Sequence, residues 1–393
     1  MFEHVVLRKA EGGQNISAGQ IAEALLYYQR LHLILDFGTL LGLLKQIGVD
    51  IVLSLLRRHE VSAVYCEELL ATHTNTYAMT QFHSYVAITL VGNKDIQLNT
   101  PEERLPYELE RQGIPNKDAK RFSKAFFSLV PVRKFSGNYF YKEGITAAAK
   151  QDLLDHEYSS QAIRRAIEIL PGGYDIGHEL KFELLESNQG FCIFSNIDMN
   201  SINKRRAAAT PILEPITMAH LLTCILDSRA DLELASFYGG DFVTSDVNSS
   251  IIRVRHAELL RRTRLNESSR QQFTEIVLPD TPSLAEVIDS GERTFNDFFS
   301  LLDKAARFKD WLKAVNPDED LVRTYMRDVS SEGWIQRLPA KSIRYVFMLA
   351  LEAKYPLVGL TTGILDNFLL EKICSGWRPN HFVSARLSPF VSS

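Results

Sequence analysis

The sequence predicts an α+β protein that has a layered α/β segment at its N-terminus and a mostly helical C-terminal region. Strand and helix patterns alternate over residues 1–100. A short Ser-Asn-Gln-Gly turn joins two apolar runs farther along the chain and predicts a β-hairpin. After residue 210, apolar residues recur at the three-to-four spacing of helices. These three observations predict segments 1–100, 101–210 and 211–393.

The first segment has the pattern of a βαβ-type layered fold. Helix signals separate its short apolar runs, and Ser17 is a predicted helix cap. Short connections between strand and helix favour this layered arrangement. The predicted strands are Glu3–Lys9, Leu31–Leu35, Val61–Cys66 and Phe82–Val91.

The later segments are justified by caps and turns. Thr100 and Glu103 form a predicted capping box, and Ser159 is the predicted cap of another helix. Lys181–Glu186 and Phe191–Ile197 are the two strands of the hairpin. Beyond it, Phe273–Leu278 is the one strand-like run in a helical pattern.

Composition excludes several classes of protein. The chain has 393 residues, 45% hydrophobic and 23% charged, which is ordinary for a folded protein and unlike disordered or collagen-like chains. The net charge of −4 argues against a uniformly basic nucleic-acid coat. The four cysteines include no CxxC pair, and Met1–Ala10 lacks an apolar signal region, so we expect a reducing, cytoplasmic location.

Carboxylates follow two of the predicted strands and suggest a metal site. Asp36 ends one strand, and Glu67 and Glu68 follow the next. With His83 as a fourth catalytic candidate, they could hold Mg²⁺ and support a phosphoesterase or nuclease. The alternative, which we favour, is that Asp36 caps the following helix and that no cofactor is needed.

The segment Leu33–Leu41 (LILDFGTLL) resembles the first motif of haloacid-dehalogenase-type phosphatases. That motif has a second Asp two residues after the first, and here the position is Gly38. The resemblance therefore implies no activity. Nearby, Cys66 could form a nucleophile pair with a histidine, His73 or His83, but a small buried cysteine is the favoured interpretation.

Two further features indicate partners. An arginine-rich stretch could bind phosphates, including those of nucleic acid, although a solvated helix face is favoured. The apolar segment Ile343–Ile373 predicts a helical hairpin, whose packing within the protein or self-association is favoured over membrane insertion. The candidate anion-binding residues are Arg253, Arg255, Arg261, Arg262 and Arg264.

Two segments, Ser283–Leu312 and Gly363–Phe382, resemble stretches of uncharacterised bacterial proteins that are suspected of roles in phage defence. The resemblance covers about fifty residues and implies neither an activity nor a site. From the residues, the leading hypothesis is a cytosolic, non-enzymatic interaction or regulatory protein with a protein partner or a second copy of itself. The alternatives are the Asp36-centred phosphoesterase or nuclease and a membrane-acting effector that uses Ile343–Ile373.

Overall fold

The fold is α+β, as the sequence predicts, with one parallel and one antiparallel sheet. It is taken from a computed structural model. The residues that it describes are 2–9, 15–89, 98–170, 176, 179–188, 190–209, 214–254, 270–271, 273–275, 277–278, 281–315, 321 and 379–392.

The N-terminal strands form a parallel sheet in the order β3-β2-β1-β8. Helices lie between successive strands, which confirms the βαβ prediction. The strands are β1 (His4–Arg8), β2 (Arg30–Leu35), β3 (Val61–Tyr65) and β8 (Asp241–Phe242). The connecting helices are α1 (Ala18–Tyr27), α2 (Phe37–Ile47) and α3 (Val49–Leu56).

Both faces of the parallel sheet are buried. Successive side chains point to opposite faces of a strand, so Leu33 enters one apolar cluster and Ile34 enters another. Val5 and Val6 of β1 divide between the two clusters in the same way. This explains why these strands are near-continuous apolar runs.

The second sheet is antiparallel, in the order β4-β5-β7-β6. It consists of β4 (Glu68–Tyr77), β5 (Thr80–Thr89), β6 (Phe182–Ser187) and β7 (Gly190–Ser195). The predicted hairpin is confirmed as β6 and β7. Strand β4 was not predicted, and it turns into β5 through Ala78 and Met79, which both have positive φ (46° and 69°).

Helices surround the two sheets. The long helix α9 (Met218–Tyr238) packs against both β1 and β4, so it lies between the parallel and antiparallel sheets. The other helices are α4 (Pro101–Arg111), α5 (Asn116–Leu129), α6 (Ile145–Leu154), α7 (His156–Ile169), α8 (Met199–Ala209), α10 (246–254), α11 (Leu284–Asp289), α12 (Phe295–Leu302), α13 (Ala306–Ala314) and the C-terminal helical stretch 379–391.

One apolar cluster draws on all three predicted segments. Leu33 from the first, Phe122 from the second and Trp311 from the third belong to the same buried cluster. Helix α11 packs directly on α1. The division near residues 100 and 210 stays a prediction, and this cluster shows that the segments share a core.

Local caps mostly follow the sequence. Thr100 forms the predicted capping box with Glu103. Ser17 caps α1 as predicted and, beyond the prediction, forms a capping box with Gln20. The prediction for Ser159 was wrong: the preceding turn is already helical, and Asp155 caps α7 by accepting from the Tyr158 N–H at 3.0 Å. The strand predicted over residues 273–278 was also wrong, because residues 273–275 and 277 are helical.

Within the described part of the chain, no single helix combines the length and apolar character needed to span a membrane. Helices α2 and α3 meet that test only as a pair, and they are bent by 116° at their junction.

Candidate functional site

Asp36 lies at the C-terminal end of β2 and caps α2. Its Oδ1 accepts a hydrogen bond of 2.7 Å from the Thr39 N–H, and Lys9 Nζ lies 4.0 Å from its Oδ2. The cap satisfies a backbone donor that the first helical turn leaves free. The predicted capping role of Asp36 is thus what the structure shows.

Glu67 and Glu68 point to two separate partners. Arg104 of α4 donates from Nε to Glu67 Oε2 at 2.9 Å. Glu68 accepts from the Ser136 N–H at 2.9 Å and from the Ser136 hydroxyl at 2.6 Å. Glu67 therefore pairs with Arg104, whereas Glu68 accepts hydrogen bonds from Ser136.

His83 belongs to the antiparallel sheet. It is buried on β5, shares a hydrogen bond of 2.9 Å with the Thr74 hydroxyl through Nδ1, and packs near Phe191. Burial lowers the pKa of His83. His73, on β4, is exposed and bonds to Asn75 at 3.1 Å.

The structure brings Asp36 and Glu68, of the four catalytic candidates, to the lining of one small cavity. Its volume of about 30 Å³ is room for about two water molecules. Cys66 also lines it, and burial, reinforced by Glu68, raises the pKa of this thiol far above its usual range. No group of three or more metal-ligating side chains occurs among the described residues.

Several sequence-predicted features lie outside the described residues. Arg253 is exposed on α10, but Arg255, Arg261, Arg262 and Arg264 are not described. The apolar segment Ile343–Ile373 also lies outside them. The anion-binding and hairpin predictions therefore stay predictions.

A larger candidate site occurs at the free edge of the parallel sheet. Strand β3 is the edge strand, and its C-terminal end is covered by a short bridge from Tyr65 to Val132. The Tyr65 N–H donates to the Pro131 carbonyl at 3.0 Å, and the Arg133 N–H donates to the Tyr65 carbonyl at 2.9 Å. Along residues 61–64, no strand from the described part of the chain continues this pairing.

The space beside this uncovered edge is a cleft of about 360 Å³, which we call the edge cleft. That volume lies within the range of small-molecule sites. The lining residues are His32, Leu56, Val61, Ser62, Ala63, Val64, Leu129, Val130, Pro131, Tyr139 and Tyr238.

Backbone groups of β3 face the edge cleft. In a parallel ladder, alternate residues direct their N–H and C=O to the same neighbouring strand. Cys66 donates to the Leu35 carbonyl of β2 at 2.8 Å, whereas Tyr65 uses its groups on the opposite side. By the same alternation, the Val61 carbonyl and both backbone groups of Ala63 point away from β2 and into the uncovered edge.

A histidine and a serine that are hydrogen-bonded to each other line the cleft. His32 Nδ1 and the Ser62 hydroxyl share a hydrogen bond of 2.7 Å. His32 is only 4% exposed, and its Nε2 has no hydrogen-bond partner among the described residues. Burial, and then the nearby charge of His4, lowers the pKa of His32 to about 3, so this ring is neutral at pH 7.

Aromatic rings form one wall. Tyr238 stacks on His32 with ring centroids 3.5 Å apart, and its hydroxyl is likewise buried without a partner in the described structure. Tyr139 is 42% exposed and carries the Arg133 guanidinium over its ring at 4.2 Å. Buried polar groups normally form hydrogen bonds, so the His32 Nε2 and the Tyr238 hydroxyl are candidates to bond with a molecule bound in the cleft.

The edge cleft was not predicted, although the sequence contains one indication of it in two polar residues within apolar strands. His32 interrupts the apolar run LHLIL, and Ser62 interrupts VSAVY, at positions that the strand alternation sends to the same face. Polar residues inside otherwise buried strands can be read as candidate site residues. The free edge itself could not be read, because it depends on where residues 131–133 pair.

Comparison of this chain with protein-family models, curated proteins and solved structures finds no match.

Proposed function

We propose that this chain is an interaction or regulatory protein that binds an uncharged small molecule in the edge cleft. The observation that carries the proposal is the cleft itself: about 360 Å³, with a lining that contains no Asp, Glu, Lys or Arg among the residues that the structure describes. Apolar walls with a few convergent polar groups are typical of small-molecule sites.

The protonation states of nearby groups support binding over catalysis. A general base works best when its pKa lies near the working pH. The pKa of His32, about 3, is far below neutrality, so His32 is a weak base for Ser62. The raised pKa of Cys66 keeps its sulfur protonated, which makes it a poor nucleophile.

The biological setting is part of this proposal. A cytoplasmic location, a protein partner or self-association, and a role in bacterial defence are carried forward from the sequence. Binding of the small molecule in the edge cleft would then change the protein, and a protein partner would recognise the changed form.

The test is a saturation-transfer NMR measurement with indole as a neutral planar probe. We expect the full chain to bind indole and Ser62→Phe to lose the signal, because the new ring fills the cleft. Ser300→Phe on α12 is the matched control, since Ser300 is exposed and does not line the cleft. Leu129→Phe provides a second obstruction if Ser62→Phe does not fold.

Circular dichroism would verify that each variant is folded. Unchanged indole binding in both Ser62→Phe and Leu129→Phe would place the probe elsewhere and overturn the proposal. Absence of indole binding to the unmodified chain would also count against it.

A further inference from the structure

We propose that the edge cleft recognises a flat, uncharged heterocycle that carries an amino group beside a ring nitrogen, as aminopyrimidines and aminopurines do. This inference rests on the proposed function and names its ligand class. Three features of the cleft support it: the backbone edge that no described strand covers, the aromatic wall, and described lining residues that carry no charged side chain.

The backbone edge supplies an acceptor beside a donor. The Val61 carbonyl accepts and the Ala63 N–H donates, and both point into the cleft. A neighbouring strand would satisfy this pair with one N–H and one C=O. A heterocycle satisfies it with an amino N–H and the adjacent ring nitrogen, and it loses less conformational freedom than a peptide does.

The short length of the free edge favours a small molecule over an added strand. Beyond residue 64, the bridge between Tyr65 and Val132 already occupies the edge. An extended peptide would therefore have backbone pairing available over residues 61–64 only. The volume of about 360 Å³ is suited to one ring system with small substituents.

The walls suit a flat ring. Tyr139 and Tyr238 bring aromatic surfaces to the cleft, and Leu56, Val61 and Leu129 add apolar contacts. Aromatic rings pack against one another in offset or tilted arrangements that stabilise planar ligands beyond the area buried. The ligand would thus be held by its edge on β3 and by its faces on these side chains.

The remaining polar atoms are neutral. His32 Nε2 and the Tyr238 hydroxyl lack partners among the described residues, and both rings line the cleft. The pKa of His32 is lowered and that of Tyr238 is raised, in each case chiefly by burial, so both are uncharged at pH 7. They can bond to further ring nitrogens or amino groups.

The test is isothermal titration calorimetry of the full chain with adenine and with N6,N6-dimethyladenine. Dimethylation removes the amino donor while keeping the ring. Because a buried carbonyl is then left unpaired, we expect the dimethylated base to bind about 10-fold more weakly, or worse.

A backbone variant tests the donor separately. Ala63→Pro removes the Ala63 N–H, which does not take part in the ladder with β2, and proline is tolerated where an edge N–H faces outward. We expect adenine affinity to fall about 10-fold in Ala63→Pro and to be retained in Ala63→Gly, which keeps the N–H. If Ala63→Pro does not fold, the comparison of adenine with N6,N6-dimethyladenine on the unmodified chain still tests the inference.

The outcomes separate the two claims. Equal affinities for adenine and N6,N6-dimethyladenine, or no binding of either, would overturn the inference about ligand class. Indole binding that Ser62→Phe abolishes would in that case leave the proposed function standing. Adenine binding that Ser62→Phe does not affect would overturn the inference, because it would place the base outside the edge cleft.

Discussion

The neutral state of His32 predicts a specific pH dependence of stability. Its pKa is about 3 in the folded protein, against an ordinary value of 6.5. A lowered histidine pKa means that the unfolded chain binds the proton more readily, so this group destabilises the fold as the pH falls below 6.5. Above that value the ring is neutral in both states and contributes nothing.

The size of the effect follows from the unfolded pKa. At pH 5 the unfolded imidazole is mostly charged and the folded one is not. The difference of about 1.5 pH units, at about 1.4 kcal/mol per unit, gives a loss of about 2 kcal/mol between pH 8 and pH 5. The result hardly depends on the folded value, provided that it lies well below 5.

The assay compares the unmodified chain with His32→Asn, in which an amide can still bond to Ser62 but does not titrate. Urea unfolding at pH 8 and pH 5 gives the free energy of unfolding of each protein. We expect the unmodified chain to lose about 2 kcal/mol more than the variant over this interval. His4, whose pKa is also lowered chiefly by burial, is present in both proteins and cancels in the comparison. Equal losses in the two proteins would refute the claim that His32 is held neutral by the fold.

Three further predictions follow from contacts in and around the two sheets. Asp36→Ala removes the cap of α2 and should lower the free energy of unfolding in urea by about 1 kcal/mol. Asp36→Asn keeps a good cap and should leave that free energy nearly unchanged. A Mg²⁺ affinity that Asp36→Asn abolishes would contradict the capping role. Arg8→Met removes the guanidinium that lies within 2.9 Å of the buried carboxylates of Asp227 and Asp231, and it should lower stability by about 3–5 kcal/mol. A loss under 1 kcal/mol in the same assay would show that these ion pairs add little to stability. Gly190→Ala places a Cβ against the His83 carbonyl oxygen at a φ of 123°, so the melting temperature of the variant by circular dichroism should fall. An unchanged melting temperature would contradict the close approach of β5 and β7.

The sequence predicts the parallel sheet well because its strands are short apolar runs between capped helices. Ser17 caps α1 as predicted, and Thr100 forms the predicted capping box with Glu103, three residues further along the chain. Asp36 likewise acts within its own neighbourhood, since the N–H that it accepts from belongs to Thr39. Interactions within one turn of a helix join residues that are close in the sequence, so a local sequence pattern is enough to predict them.

Strand β4 shows why other elements escaped. Its second half, around THTNTY, is polar and largely exposed, so no apolar alternation marks it. Its turn uses Ala78 and Met79 at positive φ, where glycine or asparagine would have signalled a hairpin. At residues 273–275 the error was the reverse, since a strand was predicted where the structure has a helix. A short apolar run fits a strand or a buried helix equally well. Phe273 is buried in the apolar cluster that contains Leu33 and Trp311.

The candidate site could be predicted only in part. His32 and Ser62 stand out as polar residues in buried strands, but the cleft beside them exists because the chain after α5 pairs with Tyr65 and leaves residues 61–64 uncovered. That pairing joins residues far apart in the sequence, and no local pattern encodes it. The carboxylates near Asp36 were prominent in the sequence and proved to be engaged as a cap and in separate side-chain contacts.

The measurement that tests the central claim most directly is hydrogen exchange of the Ala63 amide, with and without saturating adenine. This N–H points into the edge cleft and has no backbone partner in the described part of the chain. A bound heterocycle that accepts its hydrogen bond would slow the exchange, in the unmodified chain and in Ser300→Phe but not in Ser62→Phe. Exchange at Ala63 that adenine leaves unchanged, while calorimetry shows the base bound, would contradict the edge cleft as the binding site.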